Sequence, residues 1–176
     1  MSPNPNANQS SYLPQETQNV VDAFEALNAD EKLALLYLVY KKMGDSITPA
    51  APSVTNPELA PGLLGDVFEL SGDEQLAVMR AIVNREDTEL SRSYAALTEN
   101  NQLMVWYAWA QAMGDSIVDV PGDYQYTDAT NSSLSQIETL EFQEQISMLR
   151  EVASHMGFSQ AQPIPSQAET GKTSSL

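Results

Sequence analysis

The apolar residues of this chain recur three and four positions apart, which is the spacing of amphipathic helices. Val20, Val21, Phe24 and Leu27 show this spacing first, and similar segments follow along the chain to about residue 157. No stretch alternates apolar and polar residues in the manner of a half-buried strand. The pattern therefore predicts an all-α protein.

The pentapeptide MGDSI occurs twice, at Met43–Ile47 and at Met113–Ile117, an offset of 70 residues. The same offset places EQLAVMR (Glu74–Arg80) on EQISMLR (Glu144–Arg150) without a gap. We interpret this self-similarity as the duplication of one helical module. Four helices are predicted in each copy, so we expect two four-helix halves related by a pseudo-twofold axis.

The repeats occupy about residues 18–87 and 88–157, within a helical domain at 18–158. Residues 1–17 and 159–176 are polar and contain few groups that could form a core. We expect them to be an N-terminal arm and a C-terminal tail.

Helix ends are indicated by capping residues. Asn28 with a glutamate three residues later, SGDE at Ser71–Glu74, and Thr98 are expected to begin helices. Both MGDS segments are expected to end helices, because Gly44 and Gly114 can adopt the left-handed turn. Two further helices are predicted to begin at Asn56-Pro57 and, after a long loop at about Asp119–Asn131, at Ser133.

Composition excludes several classes of function. The 176 residues contain no cysteine and carry a net charge of −16, so disulfides and thiolate sites are excluded and nucleic-acid backbones would be repelled. No apolar run has the length of a membrane span, and the N-terminus has no basic and then apolar signal pattern. We expect a soluble cytoplasmic protein that binds no nucleic acid and makes no stable membrane insertion.

Side chains for catalysis are scarce. His155 is the single histidine, and a structural role for it is the favoured interpretation. The sequence has no Ser/His/Asp order, phosphate-binding loop or Glu-x-x-His motif. We therefore expect neither an enzyme nor a metal site.

Two helices carry aromatic and thioether side chains at helical spacing. From spacing alone an ordinary core is the favoured interpretation. The alternative is a ligand cleft between the halves, because buried Tyr and Trp bring polar groups and Met adapts to an irregular apolar guest. The first helix carries Leu33, Leu36/Tyr37, Tyr40 and Met43; the second carries Leu103, Trp106/Tyr107, Ala110 and Met113 with Trp109 beside them; Met79, Met148 and Met156 are further candidates.

Several segments together resemble the N-terminal, carotenoid-binding domain of the cyanobacterial orange carotenoid protein family, over about residues 18–158. They are LALLYLVYKKMG, ITPAAP, NREDTELSRSYA, LMVWYAWAQAM, VDVPGDY and SMLREVASHMGF. The chain looks like a stand-alone helical carotenoid protein of this family. The resemblance implies two interleaved four-helix bundles that enclose a ligand tunnel.

The resemblance also implies a keto-carotenoid cofactor of the canthaxanthin or echinenone type. Tyr40 and Trp106 match an aromatic pair that packs on a terminal ring, and Tyr37 stands where the family has a tryptophan. Arg80 replaces an apolar or thiol residue, and Pro49 replaces an isoleucine. The matching tunnel or near-tunnel positions are Leu33, Tyr40, Met43, Met79, Leu103, Trp106, Tyr107, Met113, Val120, Pro121, Tyr124, Arg150 and Met156.

The function implied by the resemblance is photoprotection by quenching singlet oxygen, together with carriage of carotenoid near thylakoid membranes. A carotenoid-donating protein resembling the family's C-terminal domain is the expected partner. Direct quenching of phycobilisome excitation is an alternative, since Arg150 matches an arginine that the family uses for antenna docking. A pigment-free helical adaptor is the third interpretation.

Overall fold

The computed structural model describes residues 13–47 and 60–160. Within these ranges the chain forms helices and no strand, so the all-α prediction is confirmed. The first repeat contains α1 to α4 and the second contains α5 to α8. Their bounds are α1 Gln15–Glu25, α2 Ala29–Ile47, α3 Pro61–Leu64, α4 Gly72–Val83, α5 Glu89–Ala95, α6 Glu99–Ala112, α7 Asp128–Thr139 and α8 Phe142–Ser154, with a 3-10 helix at Asp66–Glu69 after α3.

The contacts between helices follow the sequence repeat. Helix α2 packs on α4 as α6 packs on α8, and α2 and α6 pack on each other. Helix α1 packs on α7 and α8 of the second repeat, while α5 packs on α3 and α4 of the first repeat. The first helix of each repeat thus lies against the other repeat, which is the contact pattern of two interleaved halves.

One hydrophobic core runs through both repeats. Phe24, Tyr94 and Trp109 are among its largest fully buried side chains, and Leu35 and Leu63 are completely buried. Burial of a side chain of this size contributes about 1.5–3 kcal/mol relative to its exposure to water. The core therefore holds the two repeats together as one unit.

Three predicted helix starts are confirmed by their hydrogen bonds. Asn28 and Glu31 exchange side-chain and backbone bonds at the start of α2. Ser71 and Glu74 form the same reciprocal capping box at α4. The Thr98 hydroxyl accepts from the backbone N–H of residue 101 at the start of α6.

The two MGDSI segments differ, and the prediction that both end helices is wrong for the first. Helix α2 continues to Ile47, whereas α6 ends at Ala112 and Gly114 takes the expected left-handed turn, with φ of 82°. The second segment is held by Gln75 of α4, which donates to the carbonyl of Ser116 and accepts from the backbone of residue 118. A tertiary contact thus fixes a conformation that the pentapeptide alone does not.

Other boundaries also shift. The helix expected from Asn56 lies partly outside the described residues, and what is described is the short α3 followed by the 3-10 helix, because Pro61 and Gly65 interrupt a regular helix here. Helix α7 begins earlier than Ser133, since Thr127 caps it by accepting from the backbone of residue 130. Helix α1 begins at Gln15, within the segment assigned to the N-terminal arm.

His155 links the two ends of the chain's helical part. Its Nδ1 lies 3.0 Å from the Glu25 carboxylate of α1, and its Nε2 lies 3.1 Å from the Glu151 carboxylate of α8. Both carboxylates can only accept, so the protonated ring fits best, and the hydrogen bond to Glu25 raises the pKa of His155. The histidine is a structural bridge in this fold.

None of the helices in the described ranges is long and apolar enough to cross a lipid bilayer.

Candidate functional site

A cavity of about 320 Å³ lies between α2, α4, α6 and the segment 113–124. This volume is at the lower end of the range for small-molecule sites. Most of its lining is apolar or aromatic, with charged residues among the rest. The lining residues are Asp30, Leu33, Ala34, Leu36, Tyr37, Tyr40, Asp73, Leu76, Met79, Arg80, Trp106, Trp109, Ala110, Met113, Val118, Asp119, Val120, Pro121 and Tyr124.

Tyr40 forms part of the α2 wall, and its hydroxyl is satisfied away from the cavity. It donates a hydrogen bond of 3.0 Å to the backbone carbonyl of Leu103 on α6. Its ring lies 6.0 Å from that of Tyr107, in a tilted arrangement. Burial raises the pKa of Tyr40 well above its ordinary value, so the phenol stays neutral and can present its ring as an apolar surface.

Trp106 and Trp109 form the α6 wall, with their rings 5.1 Å apart and nearly perpendicular. Trp109 Nε1 donates to the carbonyl of Leu63 at 2.9 Å. Trp106 Nε1 donates to the hydroxyl of Tyr94 at 2.8 Å, and that hydroxyl donates in turn to the carbonyl of Ala153 at 2.7 Å. Both indole N–H groups are therefore satisfied within the protein, and the orientation of each ring is fixed.

The remaining walls come from α4 and from the segment after α6. Met79 is buried on α4, and Met113 lies at the end of α6. Gln75 fixes the path of the chain into Val118, as described above. Tyr124 packs edge to face on Tyr126 with ring centroids 5.2 Å apart. The segment is thus held in place where it covers the cavity.

One edge of the cavity is charged. Arg80 of α4 donates from Nε to Asp30 of α2 at 2.8 Å, and from Nη2 to the second oxygen at 3.2 Å. This bond raises the pKa of Arg80 further, so the guanidinium remains charged. Asp73 and Asp119 also lie on the lining. The cavity is therefore apolar inside, with a polar edge where α2 meets α4.

The structure brings together nine of the residues expected from the sequence, and five lie off the cavity. Four of those five are the repeat counterparts, at the offset of 70 residues, of residues that do line it. The nine are Leu33, Tyr37, Tyr40, Met79, Trp106, Met113, Val120, Pro121 and Tyr124; the counterparts are Leu103, Tyr107, Met43 and Arg150, and the fifth is Met156.

Their surroundings differ. Leu103, Tyr107 and Met156 are buried in the core, and Met43 is half-buried against it. Arg150 is exposed on α8. The cavity therefore lies on one side of the α2–α6 contact, rather than centrally between the two stripes. Ligand contacts of all fourteen residues stay predictions.

Sequence reasoning left Trp109 outside the candidate site, although it lines the cavity. Helical spacing carried the signal, since Trp106, Trp109, Ala110 and Met113 follow the pattern i, i+3, i+4 and i+7. The acidic residues of the edge were also missed. No local pattern places Asp30 beside Arg80, 50 residues later in the chain.

Metal chemistry finds no support in the part of the chain described. Within residues 13–47 and 60–160, no group of three or more His, Asp or Glu side chains could hold a metal ion. The cavity offers ring faces, aliphatic groups and thioethers, which suit the binding of an apolar guest.

Relatives of the chain have a common theme. The family described as "Orange carotenoid protein, N-terminal" matches residues 10–159. An orange carotenoid-binding domain-containing protein of Nostoc sp. (strain PCC 7120) is 39% identical over 140 residues, which are 79% of this chain and 82% of that protein. The orange carotenoid-binding protein of Synechocystis sp. is 35% identical over 136 residues, and this chain spans only 43% of its length.

Solved structures of similar proteins have the same fold. The red carotenoid protein of Anabaena (Nostoc) sp. PCC 7120, binding canthaxanthin, aligns with a TM-score of 0.70 at 33% identity, covering 81% of this chain and 99% of that one. The orange carotenoid protein of the same organism, also binding canthaxanthin, aligns with a TM-score of 0.75 at 30% identity, covering 82% of this chain and 47% of that one. The chain thus belongs to the family of the orange carotenoid protein N-terminal domain.

Proposed function

We propose that this protein binds a keto-carotenoid, of the canthaxanthin or echinenone type, with one end in the cavity between α2, α4 and α6. The observation that carries the proposal is the lining itself. Rigid aromatic rings with satisfied polar atoms and two methionines, Met79 and Met113, surround an apolar space in a fold whose relatives bind canthaxanthin.

Burial of apolar surface supplies the binding free energy. An extended polyene offers several hundred Å² of apolar surface, worth on the order of 10 kcal/mol at about 25 cal/mol per Å², before the costs of association are subtracted. Trp106 and Tyr40 provide flat faces for a terminal ring. Met79 and Met113 adapt their side chains to the irregular outline of the guest.

A cavity of about 320 Å³ takes a terminal ring and part of a polyene, not the whole of such a guest. The remainder would run towards the repeat counterparts, Leu103, Tyr107 and Met43, with Met156 nearby. The pseudo-twofold relation between α2 and α6 supports this direction, because it places equivalent side chains beyond the α2–α6 contact. Arg150 would then lie near the far end.

The proposed physiological role is photoprotection. A bound keto-carotenoid takes up the excitation energy of singlet oxygen and releases it as heat. The protein holds the guest in one conformation and keeps it in solution. The position of Tyr124 and Pro121 at the cavity wall supports partial exposure of the guest, since Pro121 is exposed and Tyr124 is half-exposed.

Carriage of pigment is part of the same proposal. The loading partner would be a carotenoid-donating protein resembling the C-terminal domain of the family's two-domain members, acting in the cytoplasm near thylakoid membranes. Docking to the phycobilisome is the second candidate, and the exposed Arg150 favours it. The net charge of −16 disfavours docking to an acidic antenna, so singlet-oxygen quenching remains the main proposal.

The test compares protein purified from a canthaxanthin-producing host with protein from a host that makes no carotenoid. Singlet-oxygen phosphorescence from a soluble photosensitiser is timed in the presence of each. We expect the coloured protein to shorten the lifetime well beyond the colourless one. Equal lifetimes would refute the photoprotective role, and strong quenching of phycobilisome fluorescence at moderate salt would favour the antenna alternative.

A further inference from the structure

The charged edge of the cavity is unlike the rest of its lining. Arg80 is the one cation among the described lining residues, and it stands with the carboxylates of Asp30, Asp73 and Asp119. The binding of a pure hydrocarbon requires no charged group at this place. The edge therefore calls for an explanation beyond apolar burial.

Arg80 is held in a fixed position with donors to spare. Nε and Nη2 bind the two oxygens of Asp30, so the guanidinium is clamped between α4 and α2. Nη1 carries two more N–H groups, and no partner for them occurs among the described residues. The side chain of Arg80 is 46% exposed, so water satisfies these donors when the cavity has no guest.

A guest whose end covers Arg80 removes that water. A hydrocarbon end leaves the Nη1 donors without an acceptor, which carries a desolvation penalty. A carbonyl or hydroxyl oxygen restores the bond, and the donor is charged, which makes the bond stronger than a neutral one. A carboxylate end would instead meet three acidic side chains against one guanidinium.

We propose that Arg80 is a specificity-determining residue that favours guests with a neutral oxygen, carbonyl or hydroxyl, on the end at this edge. The inference rests on the proposed carotenoid binding and deepens it. It assigns the preference for an oxygen-bearing end to one side chain, which the clamp with Asp30 orients.

The experiment expresses the protein in a host that makes canthaxanthin and β-carotene together. Pigments are extracted from the purified protein and from the host membranes and are separated by chromatography. The variant is Arg80→Met, which keeps a long flexible chain without donors. Arg92→Met is the matched control, because Arg92 is also half-exposed and paired with an aspartate, yet lies outside the cavity.

We expect wild type and Arg92→Met to enrich canthaxanthin over β-carotene relative to the membrane pool. Arg80→Met should lower that enrichment about two- to tenfold, as expected for one hydrogen bond worth about 0.5–1.5 kcal/mol. Arg80→Lys should restore part of it. Total pigment per folded protein, judged by circular dichroism, should change less than the ratio.

The outcomes separate this inference from the proposed function. A colourless wild type would overturn both. A coloured wild type with the same pigment ratio as Arg80→Met would overturn the role of Arg80 and leave carotenoid binding standing. Enrichment of a carboxylate-ended polyene over canthaxanthin would contradict the preference for a neutral end.

Discussion

The hydroxyl of Tyr94 has two partners, and its removal tests how the Trp106 ring is held. The hydroxyl accepts from Trp106 Nε1 at 2.8 Å and donates to the carbonyl of Ala153 at 2.7 Å, with Tyr94 fully buried. Tyr94→Phe deletes only this atom. The first repeat already has Phe24 at the equivalent position, buried in the core, so a phenylalanine ring packs well at this place in the module.

The cost follows from the two lost bonds. The indole N–H of Trp106 is left buried without an acceptor, at about 1–3 kcal/mol. The carbonyl of Ala153 still accepts from the backbone of residue 156, so loss of its second bond costs about 0.5–1.5 kcal/mol. We expect Tyr94→Phe to lower the free energy of unfolding by about 2–4 kcal/mol.

Urea denaturation followed by tryptophan fluorescence measures this change, since a loss of that size moves the midpoint by about 1–2 M. Tyr40→Phe is the matched control. It removes a single bond to a helical carbonyl, that of Leu103, and leaves no donor orphaned, so it should cost only about 0.5–1.5 kcal/mol. If the two variants lose the same stability within about 0.5 kcal/mol, the argument that Tyr94 anchors Trp106 is wrong.

Three further predictions follow from the same structure. Trp106→Ala should lower pigment occupancy, measured from visible absorption per protein, more than it lowers helix content; equal losses would make Trp106 only a core residue. The bond to Glu25 raises the pKa of His155, so its contribution to stability is full below about pH 6.5 and is lost as the pH rises through the raised value. Urea midpoints against pH should show that loss in wild type and a flatter curve for Glu25→Gln, and parallel curves would contradict it. Gly114→Ala should destabilise by about 1–2 kcal/mol because of its positive φ, whereas Gly44→Ala, within α2, should stabilise by up to about 1 kcal/mol; thermal unfolding that ranks them the other way would refute the different conformations of the two repeats.

The fold was largely accessible from the sequence because its signals are local. Helical spacing, the caps at Asn28, Ser71 and Thr98, and the offset of 70 residues gave the helices and their order. The end of α2 was not accessible in this way. The same five residues are helical in one repeat and turned in the other, and Gln75 from a different helix fixes the turn.

The site was accessible in part. Spacing placed Trp106 and Tyr40 on stripes, and the family resemblance added Val120, Pro121 and Tyr124. The displacement of the cavity to one side could not be foreseen, because it depends on how α4 and the segment 113–124 pack on α2 and α6. The edge pair of Asp30 and Arg80 also depends on tertiary packing.

The account stands on one claim, that the space between α2, α4 and α6 holds one end of an extended polyene. A crystal structure of the protein purified with bound canthaxanthin tests it most directly. We predict electron density that enters between Tyr40 and Trp106, passes Met113 and ends beside Arg80. Density bound on the outside of the helices, or a folded coloured protein in which those side chains close the space, would contradict the claim.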